Sequence, residues 1–254
     1  MIQERRKSYI LKTLNERDHL NVQELSAHFN VSQMTVRRDL SELEEKGYLI
    51  RKYGGAVKSD AVDNLFSFNN RLEENGSQKE TICRIASDFI EDNDVIFIDC
   101  GTTLFRLSHY IGRKNRLRVI TNSLPVVSEL INFPNIKLTF IGGDIVDERK
   151  ASYGATAERL IAEYHADKAF IGADGISLNK GLSSYDEKEA HITLKMAENA
   201  DKVFLLCDSS KIEKDSFYRF APVSLVNIMI TEKKISRDET ARYLENNILI
   251  RTTI

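Results

Sequence analysis

The chain has 254 residues and a formal net charge of −2, from 36 Lys and Arg against 38 Asp and Glu, and it is long enough for one small and one medium domain with separate cores. Residues 1 to 58 carry 11 positive and 8 negative groups, a net of +3, and the remainder carries 25 against 30, a net of −5, so polyanion binding is expected only at the basic end. No apolar run approaches membrane-spanning length, the opening MIQERRKSYILKTL is charged rather than signal-like, and Cys83, Cys100 and Cys207 lack C-x-x-C spacing; these features read as a cytoplasmic protein with free thiols and no membrane contact. The five histidines, at 19, 28, 109, 165 and 191, do not cluster at ligand spacing, so neither a metal nor a cofactor is expected.

In chain order, Asn21 can cap a helix from Val22 to Phe29, with Glu24 three residues on, and Ser32 can cap a second from Gln33 to about Lys46. Only Asn30-Val31-Ser32 separates them, the spacing of a helix-turn-helix. In the second helix Val36, Leu40 and Leu43 share the buried face. Ser32, Gln33, Thr35, Arg37 and Arg38 then lie at the end that enters a major groove in this motif. Gln can pair bidentately with adenine and Arg with guanine, while Thr can meet a thymine methyl or a phosphate. Taken alone, Arg37-Arg38 reads as a solvated helix surface; the neighbouring pattern changes this. Tyr48 to Val57 contains two strand-like runs joined by a turn with Gly54-Gly55 available for positive φ. Such a wing sets Arg51 and Lys52 against the phosphate backbone of double-stranded DNA.

Residues 1–58 are therefore read as a DNA-binding domain, 59–76 as a linker and 77–254 as a second domain. Phe66 and Phe68 are too apolar for a free tether and are expected to dock on the second domain. Ser77-Gln78-Lys79-Glu80 reads as a capping box opening a helix through Glu91, with Ile82, Ile85, Ala86, Phe89 and Ile90 as its stripe. Strands are then expected at Val95 to Ile98, Arg118 to Thr121, Lys137 to Ile141, Lys168 to Ile171, Val203 to Cys207, Leu225 to Ile230 and Ile248 to Ile250. Helices are expected between them at Leu104 to Ile111, Pro125 to Asn132, Thr156 to Tyr164, Asp186 to Asn199 and Ser236 to Asn246. This alternation predicts an α/β domain whose mostly parallel sheet is covered on both faces, with ligands beyond the carboxyl ends of its strands.

Polar and glycine-bearing loops close those strands. Asp99-Cys100-Gly101-Thr102-Thr103 leads directly into a helix, so its N–H groups and two hydroxyls can cradle an anion such as phosphate. Thr121-Asn122-Ser123, Gly142-Gly143, Gly172-Ala173-Asp174-Gly175 and Asp208-Ser209-Ser210-Lys211 follow on the same rim. Each alone is ordinary turn chemistry; together, with a loop-end Lys and repeated hydroxyls, they read as one site. Neither of the familiar glycine-rich nucleotide motifs is present.

The run VSQMTVRRDLSELEEKGYLIRKYGGA resembles the winged helix-turn-helix of the DeoR family of bacterial transcription regulators. Thr35, Val36, Arg37, Arg38, Asp39 and Leu40 match that family's recognition helix, and Arg51, Gly54, Gly55 and Ala56 match its wing. The rim segments resemble the family's effector domain, which implies the fold of ribose-5-phosphate isomerase and a phosphorylated sugar or related metabolite as ligand. By that resemblance the effector residues are Asp99, Gly101, Thr102, Thr103, Thr121, Asn122, Ser123, Gly142, Gly143, Gly172, Asp174, Gly175, Asp208, Ser209, Ser210 and Lys211, with Glu189 of the pair Glu189-Ala190. Two positions depart from the family. Val146 stands where an Arg is common, with Arg149 or Lys150 able to compensate only if the loop bends, and Ile212-Glu213 replaces Phe-Gly.

The implied function is a repressor of a carbohydrate-utilisation operon, controlled by a phosphorylated sugar or sugar alcohol and acting as a homodimer or homotetramer, because one winged domain makes too few contacts for a selective site. An activating output is the alternative within that class. An enzyme using Asp174, Glu187, Glu189 and Lys211 is the alternative outside it, disfavoured because a DNA-reading domain on the same chain is better explained by sensing than by turnover.

Overall fold

The computed structural model describes residues 2–17, 19–45, 48–58, 68–233 and 235–252. They form two compact units, 1–71 and 72–254. The first contains α1 (Ile2–Arg17), β1 (His19–Asn21), α2 (Val22–Phe29), α3 (Gln33–Glu45), β2 (Leu49–Lys52) and β3 (Gly55–Lys58), with its antiparallel strands ordered β1-β3-β2. Asn21 Oδ1 accepts from Gln23 N at 2.7 Å, so the expected cap opens α2. The helix ends at Asn30 in the left-handed region, φ 50°, whose N–H returns to Ala27 O. Ser26 Oγ then donates to Val31 O at 2.6 Å and fixes the turn into α3.

Val36, Leu40 and Leu43 are buried as their spacing requires, against Leu25, Leu49 and Ala56. Sequence reading missed two parts of this core. Ile10 and Leu14 of α1 complete it, and Arg6 of α1 clasps buried Asp39 of α3 through Nε–Oδ2 at 2.7 Å and Nη2–Oδ1 at 3.2 Å. Asp39, read only as part of a family motif, ties the recognition helix to α1. At the wing Gly54 takes positive φ, +81°, but Gly55 has another reason to be glycine. A Cβ there would stand 1.9 Å from Leu20 O, so only glycine lets β3 pair with β1.

Within the stretch read as a linker, Phe68–Glu73 forms α4 with Phe68 buried, whereas Phe66 lies outside the described residues. Helix α5 runs Gly76–Ser87. The Ser77 capping box does not form: Asn75 precedes the helix without a side-chain cap, and Ser77 Oγ instead donates to Gln78 Oε1 inside it. The stripe of Ile82, Ala86 and Ile90 is buried as expected.

The second unit is built on β4 (Val95–Ile98), β5 (Leu117–Thr121), β6 (Ile136–Phe140), β9 (Ala166–Ile171), β12 (Ala200–Leu206), β14 (Ile228–Ile230) and β15 (Leu249–Arg251). All pair in parallel, in the order β15-β14-β12-β9-β4-β5-β6. Successive side chains point to opposite faces. Ile96, Ile98, Phe170, Phe204 and Leu206 thus pack with α5, α6 (Thr102–Ile111) and α7 (Leu124–Leu130), while Phe97, Ala169, Ile171, Val203 and Leu205 pack with α8 (Ala155–Ile161), α9 (Glu187–Glu198) and α10 (Arg237–Glu245). Two covered faces explain the near-continuous apolar runs. A capping box between Ser236 and Glu239, unforeseen in the sequence, opens α10.

Short antiparallel additions were not foreseen: the hairpin β7 (Asp144–Val146) with β8 (Ala151–Tyr153), and a sheet ordered β10 (Gly175–Ser177), β11 (Gly181–Ser184), β13 (Tyr218–Ala221). From β4 the chain builds outward through β5 to β6, then returns to the other side of β4 as β9. The strand order therefore reverses between β4 and β9, and a crevice opens beyond the carboxyl ends of that pair.

Candidate functional site

In the first unit the cap of α3 engages two of the expected contact residues with each other. Ser32 Oγ accepts from Thr35 N at 3.2 Å and lies 2.9 Å from Thr35 Oγ1, so these hydroxyls shape the helix start. Gln33, Arg37 and Arg38 are exposed, with Arg38 Nε 3.6 Å from Glu42 Oε1. Arg51 is exposed but leans on the recognition helix, its N–H donating to Glu44 Oε1 at 2.9 Å and its Nη1 to Ser41 Oγ at 2.8 Å. Lys52 is exposed on the wing. Gln33, Arg37, Arg38 and Lys52 therefore share the outer surface of one helix and its wing, while Arg51 couples the two.

In the second unit the loop after β4 lies at the strand-order reversal. Gly101 precedes α6 with φ +115°, a conformation that side chains rarely adopt. This turn aims the first N–H groups of α6 outward from the strand end, where helix polarity favours an anion. Thr102 and Thr103 are nearly buried, 4% and 7% exposed, and neither hydroxyl is engaged by another described residue. Asp99 is turned the other way. Its carboxylate accepts from Cys100 N and from Thr193 Oγ1 of α9, both at 2.7 Å. Burial pushes its pKa up to about 7, against the Thr193 hydrogen bond, which favours the anion.

The loop after β9 joins the same crevice. Asp174 accepts from Tyr185 N at 3.0 Å and Ser184 Oγ at 3.3 Å, and its Oδ1 lies 3.9 Å from Lys211 Nζ, which donates to Ala173 O at 3.0 Å. Glu189 faces Arg149 Nη2 at 3.2 Å; burial, opposed by that guanidinium, raises its carboxyl to about 7. The position of Arg149 follows from the unforeseen hairpin. Beyond β7 the chain turns through Lys150, φ 52°, and brings the guanidinium back to α9 although Val146 occupies the family's usual Arg position.

Lys79 of α5 was missed, since it was read as part of a capping box. It is buried, and burial with the nearby charge of Lys211 lowers its pKa to about 8, while Glu74 and Asp208 oppose the shift. One turn along the same face, Cys83 Sγ donates to Thr103 O at 3.0 Å, which registers α5 against the start of α6. A lysine on the inward face of an otherwise apolar helix stripe was the signal available.

Other expected residues serve the scaffold. Thr121, Asn122 and Ser123 are fully buried: Thr121 Oγ1 accepts from Ser123 N, Asn122 Nδ2 donates to Ser152 O, and Ser123 Oγ caps α7. A Cβ at Gly143 would stand 2.4 Å from Tyr153 O and one at Gly175 2.5 Å from Lys214 O; one at Gly172 would meet Leu104 at 3.3 Å, and Gly142 borders open space. Ser209 is held by Glu232, and Asp208 accepts from Ser210. Glu187 is exposed at the start of α9, away from the buried carboxylates.

Among the described residues no helix is long and apolar enough to cross a membrane. Sequence comparison matches residues 6–62 to the DeoR-like helix-turn-helix domain and residues 74–233 to the DeoR C terminal sensor domain. The chain is 34% identical over 224 residues to the HTH-type transcriptional regulator IolR of Bacillus subtilis (strain 168), covering 88% of each chain. It is 31% identical over 233 residues to the HTH-type transcriptional repressor GlcR of the same organism, covering 92% of this chain and 90% of that one. Ribose 5-phosphate isomerase A from Methanocaldococcus jannaschii aligns with a TM-score of 0.40 at 20% identity, over 55% of this chain and 56% of that one, a likeness too distant to carry chemistry. The sequence relatives are named for regulation, a non-enzymatic role. The chain belongs to the DeoR family of DNA-binding transcriptional regulators, a helix-turn-helix joined to a sensor domain.

Proposed function

We propose that this regulator works in the cytoplasm as a homo-oligomeric repressor of a carbohydrate-utilisation operon, and that a phosphorylated sugar or sugar alcohol bound beyond β4, β9 and β12 releases it from operator DNA. One observation carries the ligand class: the hydroxyls of two nearly buried residues, Thr102 and Thr103, stand without partners among the described residues at the N-terminus of α6. Lys79 and Lys211 supply positive charge in the same neighbourhood. A phosphate dianion satisfies the donors and offsets that charge, through hydrogen bonds a neutral sugar cannot make.

Asp174 and Glu189 are acceptors for the hydroxyls of the remaining carbon chain, and Asp99, held by Cys100 N and Thr193, braces the loop beside them. Arg149, paired to Glu189, completes a polar end opposite in character to the phosphate end. Gln33, Arg37 and Arg38 read the operator, with Lys52 on its backbone, and two copies reach two half-sites on one duplex face. Ligand control requires that the effector bind the DNA-competent and released states with different affinities.

Thermal-shift measurements with matched pairs of sugars and their phosphates test the ligand class, because a ligand that binds only the native state raises the melting temperature. The phosphate member of one pair should stabilise the protein at concentrations where its neutral partner does not. Equal stabilisation by both members contradicts the phosphate-cradle reading.

A further inference from the structure

Successive residues of an α-helix advance by about 100°. In α3 the buried side chains Val36, Asp39, Leu40 and Leu43 define the inward direction. The direction opposite is then occupied by Met34, Arg38, Ser41 and Glu45, with Arg37 off to one side. Met34 is thus central to the outward face in the first turn, the part of a recognition helix that reaches base edges. It is 70% exposed, and among the described residues no hydrogen bond, ring contact or ion pair engages it.

A single exposed apolar residue is ordinary on most surfaces. This one lies among Gln33, Arg37 and Arg38, all exposed, on a face otherwise suited to a polyanion. The groups around it are already engaged: Thr35 with Ser32, Arg38 with Glu42, and Ser41 with Arg37 O and Arg51. Thr35, the residue first read as the partner of a thymine methyl, is only half-exposed and held in the helix cap. The apolar feature that a major groove presents is the 5-methyl group of thymine.

We propose that Met34 reads a thymine 5-methyl group in each operator half-site and is a specificity-determining residue of this regulator. Arg37 and Arg38 reach neighbouring bases, Lys52 holds the backbone by charge, and the thioether packs on the methyl between them. An unbranched side chain with a polarizable sulfur adapts to such a contact without a polar atom to leave unsatisfied. The inference rests on the DNA-reading role of the first unit and is independent of the effector site.

The test uses full-length protein and a duplex selected by it from a randomised library. Each thymine of the selected duplex is replaced in turn by deoxyuridine, which removes only the methyl group, and affinity is read by fluorescence anisotropy for the unaltered protein, Met34→Ala and Met34→Leu. One replacement per half-site should weaken the unaltered protein by about three- to tenfold, the range expected for one buried methyl contact. Met34→Ala should bind the thymine duplex more weakly and no longer distinguish dT from dU at that position, whereas Met34→Leu should retain most of the discrimination. Because Met34 is exposed, the variants should melt as the unaltered protein does. Equal dU sensitivity in Met34→Ala, the absence of any sensitive thymine, or failure of the library to yield a preferred sequence overturns the proposal; thermal stabilisation by sugar phosphates would be unaffected by any of these.

Discussion

Lys79 carries its charge in a poor place for it, and that makes its role measurable. With its pKa near 8 in the free protein, lowered by burial and by Lys211, a bound phosphate dianion should restore full protonation. Binding then takes up a proton at alkaline pH, so effector affinity should fall as pH rises from 7 to 9. Isothermal titration should show this fall for the unaltered protein, and Lys79→Met should bind roughly tenfold or more weakly, from loss of a charge-assisted contact, with a flatter profile. An unchanged pH profile in Lys79→Met would remove this residue from the site.

Asp99 gives the complementary prediction for stability. Its folded-state pKa, about 7, lies above the ordinary 3.8 because of burial, so its stabilising protonation is complete at low pH and is lost as pH rises through about 7. Glu189 acts in the same sense, from 4.5 to about 7. The ligand-free melting temperature should therefore fall as pH rises from about 4 to about 7 and level off above that. Asp99→Asn should make that fall shallower, and an equally steep fall in the variant assigns the effect elsewhere.

At the scale of elements, the recognition helix depends on a helix that sequence reading passed over. Arg6 and Asp39 form a buried two-bond ion pair, and removing one partner leaves an uncompensated charge at a cost of roughly 3–5 kcal/mol. Hydrogen exchange of the α1 and α3 amides should accelerate in Asp39→Ala, while amides of the parallel sheet should keep their protection. The wing is equally sensitive at Gly55. In Gly55→Ala the new Cβ, placed 1.9 Å from Leu20 O, should break the β1–β3 pairing and lower operator affinity. A variant with unchanged exchange on β1 and β3 would show that the strands can move apart without loss.

Long-period elements were legible because one physical rule sufficed for each. The helix at Val22–Phe29 and the strand at Val95–Ile98 follow from a cap and a two-faced apolar run. Strands such as Gly175–Ser177 and Gly181–Ser184 carry no comparable pattern, since their burial is set by the pairing of β11 with β13. The site divides in the same way. In the proposed site, Thr102, Thr103, Asp174 and Lys211 are candidates by loop position alone, whereas Arg149 reaches Glu189 only because a hairpin bends the chain, and Lys79 is masked in the sequence by a capping-box pattern that α5, beginning at Gly76, does not use. Thr121, Asn122 and Ser123 show the opposite case: residues with ligand-like chemistry whose polar groups brace the turn itself.

At the scale of the molecule, regulation means that occupancy of the second unit changes the DNA affinity of the first. A ligand that binds both states equally shifts nothing, however tightly it binds. The direct measurement is anisotropy of the selected operator duplex titrated with full-length protein in the presence of ribose, fructose, galactose and polyol phosphates, each beside its unphosphorylated counterpart. One phosphate ester should weaken operator binding by about tenfold or more, within the usual range of allosteric coupling, while its neutral counterpart leaves it unchanged. Operator binding that is indifferent to every member of the panel, or that responds equally to a sugar and its phosphate, contradicts the account.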